Sequence, residues 1–198
     1  MELVQAKAPS VVFLVETLAN EARLDYVKDR IHFDKKKFVQ RLNKGGGLVL
    51  FWKFGIEVDI VSSSLNHIDA TINKSSGEAW RFTGFYGEPE THRRHESWDL
   101  LRQLHRQSSL PWLCTGDFNE ITKQSEKLGG RLRPYTQMQI FREALDECEL
   151  MDLGFKGSLY TWTGMDPRRR QRGPGPPLGP KKKNFLVCKI FKKRLGYP

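Results

Sequence analysis

The 198-residue sequence lacks the features of disulfide-rich proteins, of proteins with structural zinc sites and of membrane-spanning proteins. It has three cysteines, and no two of them form the Cys-x-x-Cys pair typical of a structural zinc site. No stretch approaches the roughly 20 apolar residues needed to cross a bilayer, and the N-terminus has no long apolar segment of the kind found in signal peptides. We therefore expect no disulfide framework, no membrane contact and an intracellular, reducing setting.

Excess positive charge is also missing from most of the chain, although the net charge is +10. Residues 165–198 hold 11 of the 33 basic residues and one of the 23 acidic residues, which leaves 22 of each sign in residues 1–164. The pI of about 9.6 therefore describes the C-terminal segment. It indicates nothing about what the rest of the chain binds.

Composition divides the chain into two regions. Residues 1–164 alternate apolar runs with turn signals, whereas residues 165–198 are rich in Pro, Gly, Lys and Arg. We predict one globular domain over 1–164 and a disordered basic tail over 165–198. Clusters in the tail suit non-specific phosphate binding or a nuclear address. These clusters are Arg168, Arg169, Arg170, Lys181, Lys182 and Lys183.

Apolar periodicity in residues 1–164 predicts a mixed α/β domain dominated by strands. The predicted strands are Val11–Val15, Leu48–Trp52, Val58–Ser62, Ile68–Ile72, Trp80–Tyr86, Pro111–Thr115 and Tyr160–Thr163. The predicted helices lie near Glu21–Arg30, over Glu90–Gln107, and from Thr136, where Gln139 would complete a capping box. Short strands with helices set between pairs of them favour two sheets flanked by helices.

Two polar residues follow the apolar strand that ends at Gly116. Asp117 and Asn119 flank Phe118, so both can face one side while Phe118 anchors the turn. An aspartate can orient or deprotonate a water, and an asparagine can donate to a phosphoryl oxygen. A Gly-Asp turn with an Asx cap is the simpler explanation of the isolated tetrapeptide.

Two other strands end in side chains suited to phosphate chemistry. Glu16 directly follows the apolar run Val11–Val15, where a carboxylate can bind a hard cation at the rim of a sheet. Tyr86 ends another strand, and its phenol can hydrogen-bond a phosphate. A solvated strand-end charge and an ordinary strand-end aromatic are the commoner explanations for each residue alone.

Two further patterns are better explained as solvated surface segments than as catalytic or metal sites. His92 and His95 have Arg93 and Arg94 between them and no carboxylate pair at matching spacing, so a solvated helix start explains them better than a metal site. Lys35–Lys37 is predicted to be a solvated basic run.

Several segments, in this order, resemble one family. They are Val11–Thr17, Gly45–Trp52, Phe82–Gly87, Pro111–Glu120 with its Gly-Asp-Phe-Asn motif, Glu126–Gly130, residues 141–154 and Tyr160–Trp162. Together they resemble the endonuclease/exonuclease/phosphatase superfamily, and within it the endonuclease of plant LINE-type retrotransposons. The resemblance covers about Pro9 to Gly164.

The resemblance implies a four-layer α/β/β/α sandwich of the DNase I-like type and hydrolysis of a phosphodiester in DNA. It implies that Glu16 is the Mg²⁺ ligand, with Mn²⁺ as the alternative ion, and that Tyr86 helps to hold the scissile phosphate. Asp117 resembles the aspartate that orients or activates the attacking water, and Asn119 the asparagine beside it.

The sequence also departs from the family pattern. It shows no Asn-x-Arg-Gly strand before Glu16, and it contains no Asp-His dipeptide like that of the family's Ser-Asp-His strand. On this comparison we expect an incomplete sandwich, truncated at both ends, with impaired catalysis. The alternative is an inactive retroelement remnant, or a nucleic-acid-binding module that acts through its basic tail. A phosphatase of small molecules or lipids is a third option.

Overall fold

The computed structural model describes residues 4, 7–40, 47–127, 131–153 and 189–193, the last range as backbone. The strands are β1 Val11–Val15, β2 Lys35–Val39, β3 Leu48–Trp52, β4 Val58–Ser64, β5 His67–Ile72, β6 Trp80–Tyr86, β7 Trp112–Asp117, β8 Leu150–Asp152 and β9 Lys189–Lys193. The helices are α1 Glu21–Arg30, α2 Arg94–Arg106 and α3 Tyr135–Glu147, with short 3-10 turns at Thr91–Arg93 and Gln124–Glu126. None of the described helices is long and apolar enough to span a membrane.

The described strands form two sheets. The smaller has the order β1–β3–β2 and is antiparallel. The larger has the order β4–β5–β6–β7–β9–β8, and β6 with β7 is its parallel pair. Helix α2 connects these two strands, because parallel neighbours need a crossover. The crossover brings the C-terminal ends of β6 and β7 to the same edge of the sheet.

Three apolar clusters join the sheets and helices into four layers. In β3, Val49 and Phe51 pack with α1, while Leu48 and Leu50 face the larger sheet. This alternation explains why the whole strand is apolar, since both of its faces are buried. On the outer face of the larger sheet, α2 and α3 complete the sandwich. Their cluster contains Trp98, Leu101, Leu104, Phe141 and Leu145. The predicted α/β/β/α fold is confirmed.

One contact between the sheets fixes how β1 lies across β6. Phe13 in β1 packs over Gly84 in β6, where an added Cβ would lie 2.3 Å from the Phe13 ring. Gly84 is therefore required for close approach. The contact lies three residues before Glu16 in one strand and two residues before Tyr86 in the other, so it brings those two strand ends together.

A charged cluster is buried between the larger sheet and α2. Arg81 in β6 binds Asp69 in β5 through Nε–Oδ1 and Nη2–Oδ2 distances of 2.8 and 2.9 Å. Thr83 donates to the same carboxylate, and Trp112 donates to Thr83 Oγ1 at 2.8 Å. Arg81 also donates to the Leu104 carbonyl at the end of α2. Because every member has a partner, the cluster satisfies its buried charges.

Most of the predicted elements within the described residues are confirmed, with shifts at their ends. Two details differ. Lys35–Lys37 lies in β2, and Lys36 reaches Asp25 of α1 at 2.6 Å, so this basic run is paired rather than merely solvated. Helix α3 begins at Tyr135 with Pro134 at its N-cap and no side-chain cap bond, so the capping box at Thr136 is wrong. Proline fits a helix start because its fixed φ suits the first turn.

The C-terminal segment departs from the expected disorder at one place. Lys189–Lys193 forms β9, which pairs with β7 and with β8. The physical reason is that β7 offers a free ladder of backbone groups on that side, which a chain with two central apolar residues, Ile190 and Phe191, can satisfy. The predicted strand Tyr160–Thr163 lies outside the described residues, as does the rest of residues 165–198.

Candidate active site at the ends of strands β1, β6 and β7

The four side chains singled out in the sequence lie at neighbouring strand ends. Glu16 follows the last residue of β1, Tyr86 is the last residue of β6, and Asp117 is the last residue of β7. Tyr86 and Asp117 are direct partners in the parallel ladder. Asn119 lies two residues beyond Asp117. The site is therefore assembled from both sheets at one edge of the sandwich.

A hydrogen bond links the two sheets at this edge. The Tyr86 hydroxyl donates to Glu16 Oε1 at 2.8 Å. Tyr86 is buried, and Glu16 lies nearer the surface. A carboxylate that accepts a phenolic proton is held in one orientation, which leaves its other electron pairs for a cation or a water.

The loop after β7 is fixed by its own polar groups. Asp117 Oδ1 accepts the backbone N–H of Asn119 at 2.9 Å, and Asn119 Nδ2 donates to the Gly87 carbonyl at 2.7 Å. The Gly87 N–H donates to the Asp117 carbonyl at 2.7 Å. Phe118 is buried and stacks on Phe85 with a ring separation of 5.0 Å. The predicted anchoring role of Phe118 is confirmed.

Two glycines allow the backbones of this edge to approach closely. Gly116 has φ +154°, and a Cβ there would lie 1.8 Å from the Phe85 carbonyl oxygen. A Cβ at Gly87 would lie 2.2 Å from the Phe118 carbonyl oxygen. Both neighbours are backbone atoms that cannot rotate away, so any larger residue at either position would displace the Asp117 loop.

Two of the four site residues also have a left-handed backbone. Glu16 has φ 51° and Asn119 has φ 52°. Positive φ is uncommon outside glycine, although asparagine tolerates it best. A positive φ is unfavourable for glutamate, so the conformation of Glu16 costs free energy that the surrounding contacts must offset. Five other non-glycine residues in the described part of the chain also have positive φ, so this strain supports the site only together with its hydrogen bonds.

Sequence reasoning missed Asn66, in the turn between β4 and β5. Its carbonyl accepts the Tyr86 N–H at 2.7 Å, and its Nδ2 donates to the Tyr86 carbonyl at 2.9 Å. Both backbone polar groups of Tyr86 are thus held by one residue. In the sequence, Asn66 is a single asparagine between two strands. Asparagine is common in turns, so its presence there does not indicate a role in the site.

A second missed group supports the loop that carries Asn119. The Glu120 carboxylate is almost fully buried and lies 2.8 Å from Arg94 Nη1 and 2.8 Å from Arg133 Nε. Arg94 Nη2 also donates to the Pro89 carbonyl at 3.2 Å, so this arginine ties the loop after β6 to the loop after β7. Burial lowers the pKa of the Arg94 guanidinium, and the Glu120 charge works against that shift.

A buried histidine lies beside the same edge. His67, the first residue of β5, pairs with Phe85, and its ring nitrogens lie 2.8 Å from the hydroxyls of Ser62 and Ser64. Burial lowers the pKa of His67 from its ordinary 6.5. The neutral ring is therefore the form that the fold accommodates.

This arrangement predicts a pH-dependent stability. The pKa of His67 is lower in the folded state than in the unfolded state, so its contribution is complete above about pH 6.5. The contribution is lost as the pH falls through the folded-state value. The His67→Gln variant, which does not titrate, is expected to lose less stability than the wild type between pH 7.5 and 5. Urea denaturation at each pH measures the difference, and parallel losses in the two proteins would contradict it.

The edge of the sandwich offers oxygen donors to a divalent cation. No group of three or more His, Cys, Asp or Glu side chains within the described ranges is arranged to hold a metal ion. Mg²⁺, however, is commonly held by one or two carboxylates, with waters and substrate phosphates completing its shell. Glu16 and Asp117, at the ends of the contacting strands β1 and β7, supply oxygen donors of that kind. The residues present therefore fit a hard cation that is completed by substrate.

The remaining predicted site residues cannot be placed. Arg168, Arg169, Arg170, Lys181, Lys182 and Lys183 lie outside the described residues. His92, by contrast, is on the surface near Glu90, as expected for a solvated helix start.

Comparison with known proteins agrees with this architecture. Three solved structures cover 97% of this chain: the endonuclease domain of TRAS1, a telomere-specific non-LTR retrotransposon, the 3′–5′ exonuclease from Neisseria meningitidis and the AP endonuclease from Leishmania major. Their TM-scores are 0.62, 0.61 and 0.60, with 11%, 14% and 16% sequence identity. The matches cover 76%, 79% and 72% of those chains. At such identities the likeness establishes the fold.

Family membership rests on the sequence itself. No curated protein matches the chain. The sequence profile of the Endonuclease/Exonuclease/phosphatase family, however, matches residues 1–178. That range includes every strand and helix described except β9, and it includes the edge where Glu16, Tyr86, Asp117 and Asn119 meet. The chain is therefore a member of the endonuclease/exonuclease/phosphatase family.

Proposed function

We propose that the protein hydrolyses phosphodiester bonds in DNA with the help of Mg²⁺ or Mn²⁺. The observation that carries the proposal is the meeting of Glu16, Tyr86, Asp117 and Asn119 at one edge, held by hydrogen bonds of 2.7–2.9 Å. Family membership supports a hydrolase of phosphate esters. The retrotransposon endonuclease and the AP endonuclease, which share the fold, favour DNA as the substrate.

Each side chain has a distinct part in the proposed reaction. Asp117 orients a water and accepts its proton as the water attacks phosphorus. The bond between phosphorus and the leaving oxygen breaks as the new bond forms, and the leaving oxygen takes a proton from solvent. Asn119, whose amide is fixed against Gly87, positions the Asp117 loop and offers a donor near the phosphoryl oxygens. Tyr86 holds Glu16, which would bind the cation. The bound cation would neutralise negative charge on the phosphate and the leaving oxygen.

Nicking of supercoiled plasmid by the full chain tests this proposal. We expect conversion to the open-circular form with Mg²⁺ or Mn²⁺ and none with EDTA. Circular dichroism of the same sample establishes that the protein is folded. Folded protein that leaves the plasmid intact in both ions would contradict the proposal. The chain would then be an inactive retroelement remnant or a nucleic-acid-binding module.

Glu16→Gln separates cation binding from the rest of the site. The amide oxygen can still accept the Tyr86 proton, so the link between the sheets is retained while the charge is lost. We expect the Mg²⁺ concentration for half-maximal nicking to rise at least about tenfold, with partial recovery at high Mg²⁺. A metal titration of the nicking rate measures this change, and an unchanged half-maximal concentration would exclude Glu16 as the ligand.

A further inference from the structure

Within the near-neutral region 1–164, the segment after the Asp117 loop carries an excess of positive charge. Residues 121–142 contain five basic residues and one acidic residue, Glu126. The Glu126 carboxylate accepts the Thr122 N–H at 3.0 Å, so it is hydrogen-bonded to a residue of the same segment. The basic residues are Lys123, Lys127, Arg131, Arg133 and Arg142. Arg133 is paired with Glu120, which directly precedes this range, so a local surplus of three charges lies beside the candidate active site.

This segment also exposes two large apolar side chains between its cations. Leu132 is 77% exposed and Tyr135 is 67% exposed. The Arg142 guanidinium lies 5.2 Å from the centre of the Tyr135 ring. We call this surface the basic aromatic patch. It consists of Lys123, Arg131, Leu132, Arg133, Tyr135 and Arg142.

The patch is held in shape although its side chains face solvent. Arg142 Nη1 donates to the Thr122 carbonyl at 2.5 Å, and the Arg133 N–H donates to Gln124 Oε1 at 3.0 Å. Lys127 Nζ donates to the Arg131 carbonyl at 2.6 Å. The exposed aromatic ring is thus carried on a preorganised surface, which reduces the entropy lost when a ligand binds.

Arg133 connects the patch to the active site. It lies 2.8 Å from Glu120, whose chain neighbour is Asn119. A strand of nucleic acid bound with one phosphate at Asp117 would therefore have its neighbouring nucleotides within reach of the patch, since successive phosphates are only a few ångströms apart.

We propose that the basic aromatic patch binds unpaired DNA next to the cleaved bond, with one base stacked on Tyr135 and the phosphates near Arg131 and Lys123. The inference rests on the proposed function. Exposed aromatics interleaved with cations are the chemistry by which proteins hold single strands, because bases stack on rings while the cations follow the backbone. Arginine on the ring adds a cation–π contribution to the platform.

The chain offers a matched control for Tyr135. Phe54 is 77% exposed and has Lys35 Nζ 5.9 Å from its ring centre, so it is also an exposed aromatic beside a cation. It follows β3, whose last residue pairs with Val11, whereas Glu16 lies beyond the opposite end of β1. Phe54 is therefore at the far edge of the sandwich from the candidate site.

The test is the fluorescence anisotropy of a labelled single-stranded oligonucleotide titrated with the full chain in EDTA. Tyr135→Ala is expected to raise Kd at least about fivefold, Tyr135→Phe to retain most of the affinity, and Phe54→Ala to leave Kd unchanged. Arg131→Ala should lower the slope of log Kd against log salt by about 0.7. The basic tail is common to all variants, so a difference in Kd between them is assigned to the substituted residue.

Equal effects of Tyr135→Ala and Phe54→Ala, or no measurable binding by the wild type, would overturn the proposal. Affinity that depends only on salt and not on Tyr135 would also overturn it, because the tail alone explains that result. The measurement needs no turnover. A patch that binds DNA in a protein that never nicks plasmid would count against the proposed hydrolysis and not against the patch.

Discussion

Asp117→Asn is expected to slow metal-dependent plasmid nicking by about 10²- to 10⁴-fold while the protein stays folded. The asparagine oxygen can still accept the Asn119 N–H, so the loop keeps its shape. What is lost is the negative charge and the ability to take a proton from water. A loss of this size would show that the chemistry depends on the Asp117 carboxylate itself, beyond its place in the fold.

Asp59→Asn provides the comparison. Asp59 is in β4, where its carboxylate pairs with Lys74 at 2.7 Å on the surface, away from the strand ends that form the site. This variant should nick plasmid as the wild type does. If Asp117→Asn retained activity within a few-fold of Asp59→Asn, the proposed role of Asp117 would be wrong.

Asp69→Ala is expected to produce the largest loss of stability, about 3–5 kcal/mol in the free energy of unfolding. Asp69 is fully buried and Arg81 is 2% exposed, so removing the carboxylate leaves a guanidinium without its counter-charge in the core. The remaining contact to the Leu104 carbonyl does not replace it. Urea denaturation followed by tryptophan fluorescence measures the change.

The same surface pair serves as the control for this prediction. Asp59→Ala breaks the exposed contact with Lys74 and should leave the unfolding midpoint nearly unchanged, because solvent screens such pairs. The double variant Asp69→Leu, Arg81→Met should recover part of the loss, since an apolar pair has no buried charge to satisfy. If the double variant were no more stable than Asp69→Ala, lost packing rather than an unpaired charge would explain the effect.

The sequence predicted the strands that carry the site because their signals are local. Val11–Val15 is an apolar run, and Trp80–Tyr86 has the alternation of a half-buried strand; the ends of the two segments coincide with those of β1 and β6. The polar residue at each end was visible for the same reason. Strand β2 was not predicted because three of its five residues are lysines, a composition typical of a solvated loop. Its Phe38 nevertheless packs against α1. The two apolar residues of this five-residue strand, Phe38 and Val39, are too few to give a strand pattern.

The supporting groups of the site could not be predicted from periodicity. Asn66 matters because the β4–β5 turn lies against Tyr86, 20 residues later in the chain. Glu120 matters because it pairs with Arg94, which precedes it in the chain, and with Arg133, which follows it. Contacts of this kind arise from the packing of elements that are far apart in the chain. The same is true of β9, whose pairing with β7 no local pattern indicates.

The position of β9 has a consequence for the order of folding. Strand β8 joins the larger sheet through β9, which lies 36 residues further along the chain. During synthesis at about 5–20 residues per second, β7 and β8 therefore emerge seconds before the strand that joins them. In that interval the β7 ladder is open to other extended chains. We expect the nascent protein to need a chaperone, or rapid synthesis, at this stage more than at any earlier one.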